Sequence, residues 1–120
     1  MLILVAHGSR DARWRASVEE VVASLASANG QGRVRLAYMD LTPPTLMDVA
    51  TEAVGAGHTA LRVLPLFLAP QGHVRRDVEP LVAEVRAALP AVQIELLPPM
   101  GQQPEFRDAI DRIARRAGAP

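Results

Sequence analysis

Two histidines of this 120-residue chain stand where chemistry could be done. His7 lies in LVAHGSR, directly after an apolar run, with a glycine and a serine behind it. His73 lies in PLFLAPQGHVRRD, preceded by a glycine and followed by two arginines and an aspartate. Neutral imidazole ligates divalent metals, and it exchanges protons near pH 7. Two imidazoles over one cleft could therefore hold a metal loosely and accept protons. Taken singly, each also has a plain structural reading, a hydrogen bond to a neighbouring loop. The fold decides between these readings, because only it can bring residues 7 and 73 together.

Composition narrows the remaining chemistry. All thirteen basic residues are arginine, so a Schiff-base lysine and a P-loop lysine are both excluded. Arginine's planar fork suits carboxylate ligands. There is no cysteine, which removes disulfides, thiolate metal sites and iron–sulfur clusters. Any metal must be held by His, Asp, Glu or water. Thirteen acids balance the arginines, and a net charge of zero gives no argument for nucleic acid or a membrane surface as partner. The apolar start MLILVA is too short for a signal peptide. No run approaches the ~20 residues of a membrane helix. A cytoplasmic protein with one domain over residues 1–120 is expected.

The elements that must position the histidines alternate along the chain. Leu2–Ala6 is wholly apolar and reads as a strand buried on both faces. Trp14, Val18, Val21, Val22 and Leu25 follow at helical spacing, predicting a helix from about Asp11 to Ala28 in which Trp14 and Val18, at i and i+4, are packing residues rather than a cofactor stack. Arg33–Tyr38 alternates as a half-exposed strand does. Thr42 is a good N-cap with Pro43 at the first helical position, and Leu46, Val49, Ala50, Ala53 and Val54 mark the helix beyond it. Ala60–Leu68 is a third, mostly buried strand, in which Pro65 lacks a donor and should end the regular pairing. APQG is a loop, and Asp77 is the expected N-cap of a helix marked by Val78, Leu81, Val82, Val85 and Leu89. Val92–Leu97 is a fourth strand, and Phe106, Ile110, Ile113 and Ala114 mark a final helix.

Strands alternating with helices predict an α/β three-layer sandwich, a parallel sheet with helices on both faces. The first and third strands are the most continuously apolar and belong in the centre, giving the order 2-1-3-4 with right-handed crossovers. Such a sheet reverses its winding between strands 1 and 3, and a crevice opens there, outside the carboxyl ends of the strands. His7 ends strand 1 and His73 follows strand 3, so both should flank that crevice. Ser9 could cap the first helix or bind an anion at its N-terminus. Asp40 follows strand 2 at the same end, where it either starts a turn or offers a carboxylate to a metal or proton. Arg10, Arg13, Arg75 and Arg76 are either solvated or clamp carboxylates. His58 sits at the amino-terminal end of strand 3, which makes it structural.

LVAHGSR, AYMDLTPPTL, VLPLFLAPQGHVRRDV and QIELLPPMG together resemble the small, class II sirohydrochlorin chelatases of cobalamin and siroheme synthesis, over nearly the whole chain. The resemblance implies a chelatase-like fold and a homodimer. It also implies insertion of Co²⁺, Fe²⁺ or Ni²⁺ into sirohydrochlorin, with the metal as substrate and no organic cofactor. His7 and His73 stand where the family has its two catalytic, metal-binding histidines. Asp40 stands where many members have glutamate, with the charge kept and the side chain shorter. Sirohydrochlorin carries eight carboxylate arms. Ser9, Arg10, Asp40, Gly72 and Arg75 are the expected polar contacts to this tetrapyrrole, over an apolar floor of Leu66, Leu68 and Ala69. Some members carry a histidine-rich stretch thought to store metal; this chain has none. The alternative function on the same crevice is a non-catalytic carrier of metal or tetrapyrrole.

Overall fold

A computed structural model describes residues 1–30, 32–68 and 76–118. Its elements follow the expected alternation. They are β1 (Leu2–Ala6), α1 (Ala12–Asn29), β2 (Val34–Tyr38), α2 (Leu46–Gly55), β3 (Ala60–Pro65), α3 (Glu79–Ala88), β4 (Gln93–Leu96) and α4 (Pro104–Arg116), with a 3-10 turn at Met100–Gln102 before α4. The sheet is four-stranded in the order β2-β1-β3-β4. Every pairing is parallel, and Leu4 lies opposite Leu36 on one side and Leu64 on the other.

The alternation of side chains sorts the core into two layers. Ile3 and Val5 of β1, with Leu61 and Val63 of β3 and Ile94 of β4, face α2 and α3. There they meet Leu46, Val49, Ala50, Val82 and Val85. Leu4 and Ala6 face the other way, with Leu36 and Tyr38, against Val18 and Val22 of α1. Each fully buried Val, Leu or Ile contributes about 1.5–3 kcal/mol, so the α2–α3 side carries most of the stabilisation. Within α1 itself only Val22 is buried, whereas Trp14, Val21 and Leu25 stay 42%, 60% and 39% exposed. Val18 packs as expected and Trp14 does not: α1 rests on β1 and β2 by one edge, and the rest of its apolar surface faces outward.

Two helix starts also differ from expectation. α2 is capped by Thr45 rather than Thr42. The Thr45 hydroxyl accepts from the Asp48 N–H (3.1 Å), and the Asp48 carboxylate accepts from the Thr45 N–H (2.9 Å). This reciprocal box satisfies two donors at once. Residues 42–44 instead bring the chain back beside the end of β2, where the Tyr38 N–H donates to the Pro44 carbonyl at 2.8 Å. Asp77 is not a cap, because Arg76 and Asp77 are already helical. α3 then starts behind Val78 with no side-chain cap and with proline in its first turn. β3 ends at Pro65, as its missing donor requires. No helix among the described residues is long and apolar enough to cross a membrane.

Tyr38 joins the α1 layer to the sheet. Its ring is buried and its hydroxyl donates to the Glu19 carboxylate at 2.8 Å. Burial first, and then the acceptor and charge of Glu19, push the phenol from 10.0 up to about 12. A phenol that holds its proton more tightly in the folded state stabilises the fold below pH 10 and loses that contribution as pH rises through about 12. Tyr38 is the one tyrosine of the chain. Absorbance at 295 nm should therefore follow a single tyrosinate that forms two decades of pH above its unfolded value. Tyr38→Phe should remove the loss of stability between those limits.

Candidate functional site

The site is built where three strands leave the sheet together. Hydrogen bonding continues one step past the strand ends, with the Met39 N–H donating to the Ala6 carbonyl (2.8 Å) and the Leu66 N–H to the Val5 carbonyl (2.8 Å). This carries residues 7, 40 and 67 off the carboxyl edge side by side, at the reversal between β1 and β3. The His7 ring packs against Phe67 with centroids 4.6 Å apart and planes tilted by 41°. His7 Nδ1 lies 3.9 Å from the Asp40 carboxylate, with both side chains about half exposed. That distance is too long for a hydrogen bond, and the pair becomes an ion pair when the imidazole takes a proton. One face of the ring is held by Phe67.

Asp40 also fixes the backbone beside His7. Its Oδ1 accepts from the Gly8 N–H at 2.8 Å, and its own carbonyl accepts from the Thr42 N–H at 2.7 Å. The two loops come so close that a Cβ on Gly8 would lie inside the van der Waals shell of the Asp40 carbonyl oxygen. Only glycine fits there. Ser9 accepts from the Asp11 N–H (3.0 Å) and Asp11 from the Arg13 N–H (2.9 Å), so Asp11 is the cap of α1. The Ser9 carbonyl is held by the Arg15 guanidinium at 2.6 Å. Arg10 is exposed on this loop, and Arg13 forms an exposed ion pair with Asp11 (3.6 Å).

The residues expected for the apolar floor divide. Leu68 is 70% exposed beside the site, whereas Leu66 packs with the α1 layer. Phe67, between them, is 4% exposed and was not singled out by spacing. Its signal was the placement of one of only two phenylalanines at a strand end. A second missed element is the 3-10 turn. The Gly101 N–H donates to the Phe67 carbonyl at 3.0 Å, and a Cβ there would meet the Leu68 carbonyl oxygen at 2.7 Å. Ala69, Gly72, His73 and Arg75, with the APQG loop, lie outside the described residues. Among the described residues no three His, Asp or Glu side chains gather around one point.

Two other hollows are chemically different. A groove of about 720 Å³ between α3 and β4 holds Glu79, Arg86 and Glu95 but no histidine, and Arg86 is occupied with the Ile94 carbonyl (3.0 Å). His58 lines a hollow of about 660 Å³ at the amino-terminal edge of the sheet, the opposite end from His7.

A parallel sheet with this order, and a histidine at its winding reversal, defines a chelatase-like α/β protein. The family model CbiX matches residues 1–117, and the chain belongs to that family. It is 29% identical to "Sirohydrochlorin ferrochelatase, chloroplastic" of Arabidopsis thaliana, over 93% of this chain and 50% of that one. It is 34% identical to the sirohydrochlorin cobaltochelatase of Methanococcus maripaludis, over 64% of this chain and 54% of that one. The chain spans about half the length of these curated relatives. Among solved structures, a putative cobalamin biosynthesis CbiX protein from Marinobacter aquaeolei superposes with a TM-score of 0.82 at 34% identity, over 97% of this chain and 94% of that one. The cobalt complex of Bacillus subtilis SirB shares the fold, with a TM-score of 0.78 at 22% identity, over 96% of this chain and 49% of that one.

Two substitutions probe how the His7 loop is held. Gly8→Ala should separate the residue 7 and residue 40 loops and lower thermal stability by more than the ordinary cost of a surface change. Asp40→Asn keeps an oxygen for the Gly8 N–H and removes the charge. It should melt like the parent in a thermal unfolding scan, since the Gly8 N–H keeps its acceptor.

Proposed function

We propose that this chain is a sirohydrochlorin chelatase, a lyase-class enzyme that places Co²⁺ or Fe²⁺ into the macrocycle in cobalamin or siroheme synthesis. The observation that carries this reading is the imidazole of His7, braced on Phe67 beside Asp40 at the carboxyl edge of the sheet. Membership of the CbiX family and the names of the relatives support it. Insertion exchanges two pyrrole N–H protons for one divalent ion. The chain must therefore present the ion through ligands that let it go, and must receive two protons. Imidazole and carboxylate oxygen serve both needs, while thiolates would hold the ion too firmly. In this reading His7 and His73 bind the metal and take the protons, and Asp40 offers a carboxylate beside His7 to the metal or to a proton. Ser9, Arg10, Gly72 and Arg75 meet the carboxylate arms, and Leu66, Leu68 and Ala69 lie under the ring. Ni²⁺ is a further metal the same ligands suit.

The reaction is assigned to the cytoplasm and to a homodimer, since a single crevice wall leaves a flat macrocycle about half open. Anaerobic mixing of sirohydrochlorin with Co²⁺ or Fe²⁺ should give the absorbance change of the metallated ring over many turnovers. A change that stops at one equivalent would mean a carrier instead. His7→Ala and His73→Ala should each slow insertion by about 100-fold or more, with circular dichroism unchanged. Parental rates in both variants would remove the histidines from the mechanism.

A further inference from the structure

Leu41 stands one residue past Asp40, at the carboxyl edge of the sheet, in a backbone conformation that leucine rarely takes. Its φ is 64°, and among the described residues no other residue except glycine has a positive φ. In that region the Cβ crowds the following carbonyl oxygen, so glycine, asparagine and aspartate are the usual occupants. The Thr42 N–H donates to the Asp40 carbonyl, two residues back, at 2.7 Å. A bond of that span around a positive φ closes a γ-turn of the rare, strained kind. The turn is held from outside as well. Gly8 lies so near the Asp40 carbonyl and the Thr42 nitrogen that no Cβ fits between them.

The leucine side chain returns little to the fold. It is 64% exposed and belongs to neither apolar layer of the core. Glycine would fit the same turn without strain and without setting apolar surface in water. Strain of this sort persists where the surroundings impose it, and it gathers at binding sites. The position of Leu41 agrees with that. β2, β1 and β3 lie side by side, so the chain leaves the sheet on both flanks of His7. Asp40 stands on one flank, 3.9 Å from the imidazole, and Phe67 on the other, its ring 4.6 Å away. The next residue on each flank is a leucine, Leu41 and Leu68. At 64% and 70% they are the two most exposed large apolar side chains among the described residues. Adjacent strands lie about 4.8 Å apart, which sets two such flanks roughly 10 Å apart. That is comparable to the breadth of a tetrapyrrole ring without its arms.

We propose that Leu41 is a specificity-determining contact for the macrocycle. The strained turn lays its side chain against the face of the ring on one side of His7, and Leu68 meets the same face on the other. The contact rests on the chelatase reading and adds to it the residue that selects a flat, conjugated ring over a hydrated ion. It acts on the tetrapyrrole alone, since a hydrocarbon side chain neither ligates the metal nor moves a proton.

Leu41→Gly in the full chain separates these roles. Titration with sirohydrochlorin in the absence of metal, followed by absorbance, should give a Kd about tenfold weaker than that of the parent. In turnover the KM for sirohydrochlorin should rise by a similar factor, with kcat, the KM for Co²⁺ and the pH profile unchanged. Leu41→Asn also suits a positive φ but is polar, and it should lose the same affinity. Leu41→Met, apolar and of like volume, should recover most of it. Because glycine relieves the turn, Leu41→Gly should melt no lower than the parent. A parental Kd in Leu41→Gly and Leu41→Asn overturns the inference and leaves the chelatase reading standing. So does a Leu41→Gly protein that melts well below the parent, for the leucine would then serve the fold. A parent that neither binds nor metallates sirohydrochlorin overturns both.

Discussion

β1 is hydrogen-bonded along both edges, to β2 on one side and β3 on the other, and the rest of the molecule depends on this double pairing. Five residues with no charge among them can occupy only the middle of the sheet, where neither face nor edge meets water. From that position the chain must leave to one side and return to the other, so the winding reverses around β1. The reversal makes the crevice, and the first residue past the strand, His7, stands at its mouth.

The same logic explains how much was legible beforehand. Strand order followed from which runs were continuously apolar and which alternated, because exposure to water on one face is written as alternation. The position of His7 followed from that order. The local starts of α2 and α3 were less legible. Thr42 and Thr45 are equally good caps in isolation, and the choice fell to Thr45 because Asp48 answers it and because β2 takes up Pro44. Phe67 escaped notice since a phenylalanine in an apolar strand reads as core, which it also is; only the converging loops turn one face of its ring toward an imidazole. The part of the site carried by residues 69–75 rests on the sequence pattern. On α1 the spacing tells which face of the helix is apolar and not how much of that face the sheet covers.

Two glycines, 8 and 101, do comparable work at opposite walls of the site. Each permits a backbone to approach a carbonyl of another loop closely enough to exclude any side chain, and each is tied down by its N–H. These contacts turn loops into fixed walls, so the exposed imidazole is held by its surroundings although half of it faces solvent.

The latch at Gly101 has a mechanical consequence. One hydrogen bond joins it to Phe67, and the ring of Phe67 supports His7. These two contacts join the turn before α4 to the imidazole. The turn before α4 and the imidazole therefore share one support, the residue at position 67, whose backbone seats the first and whose ring backs the second.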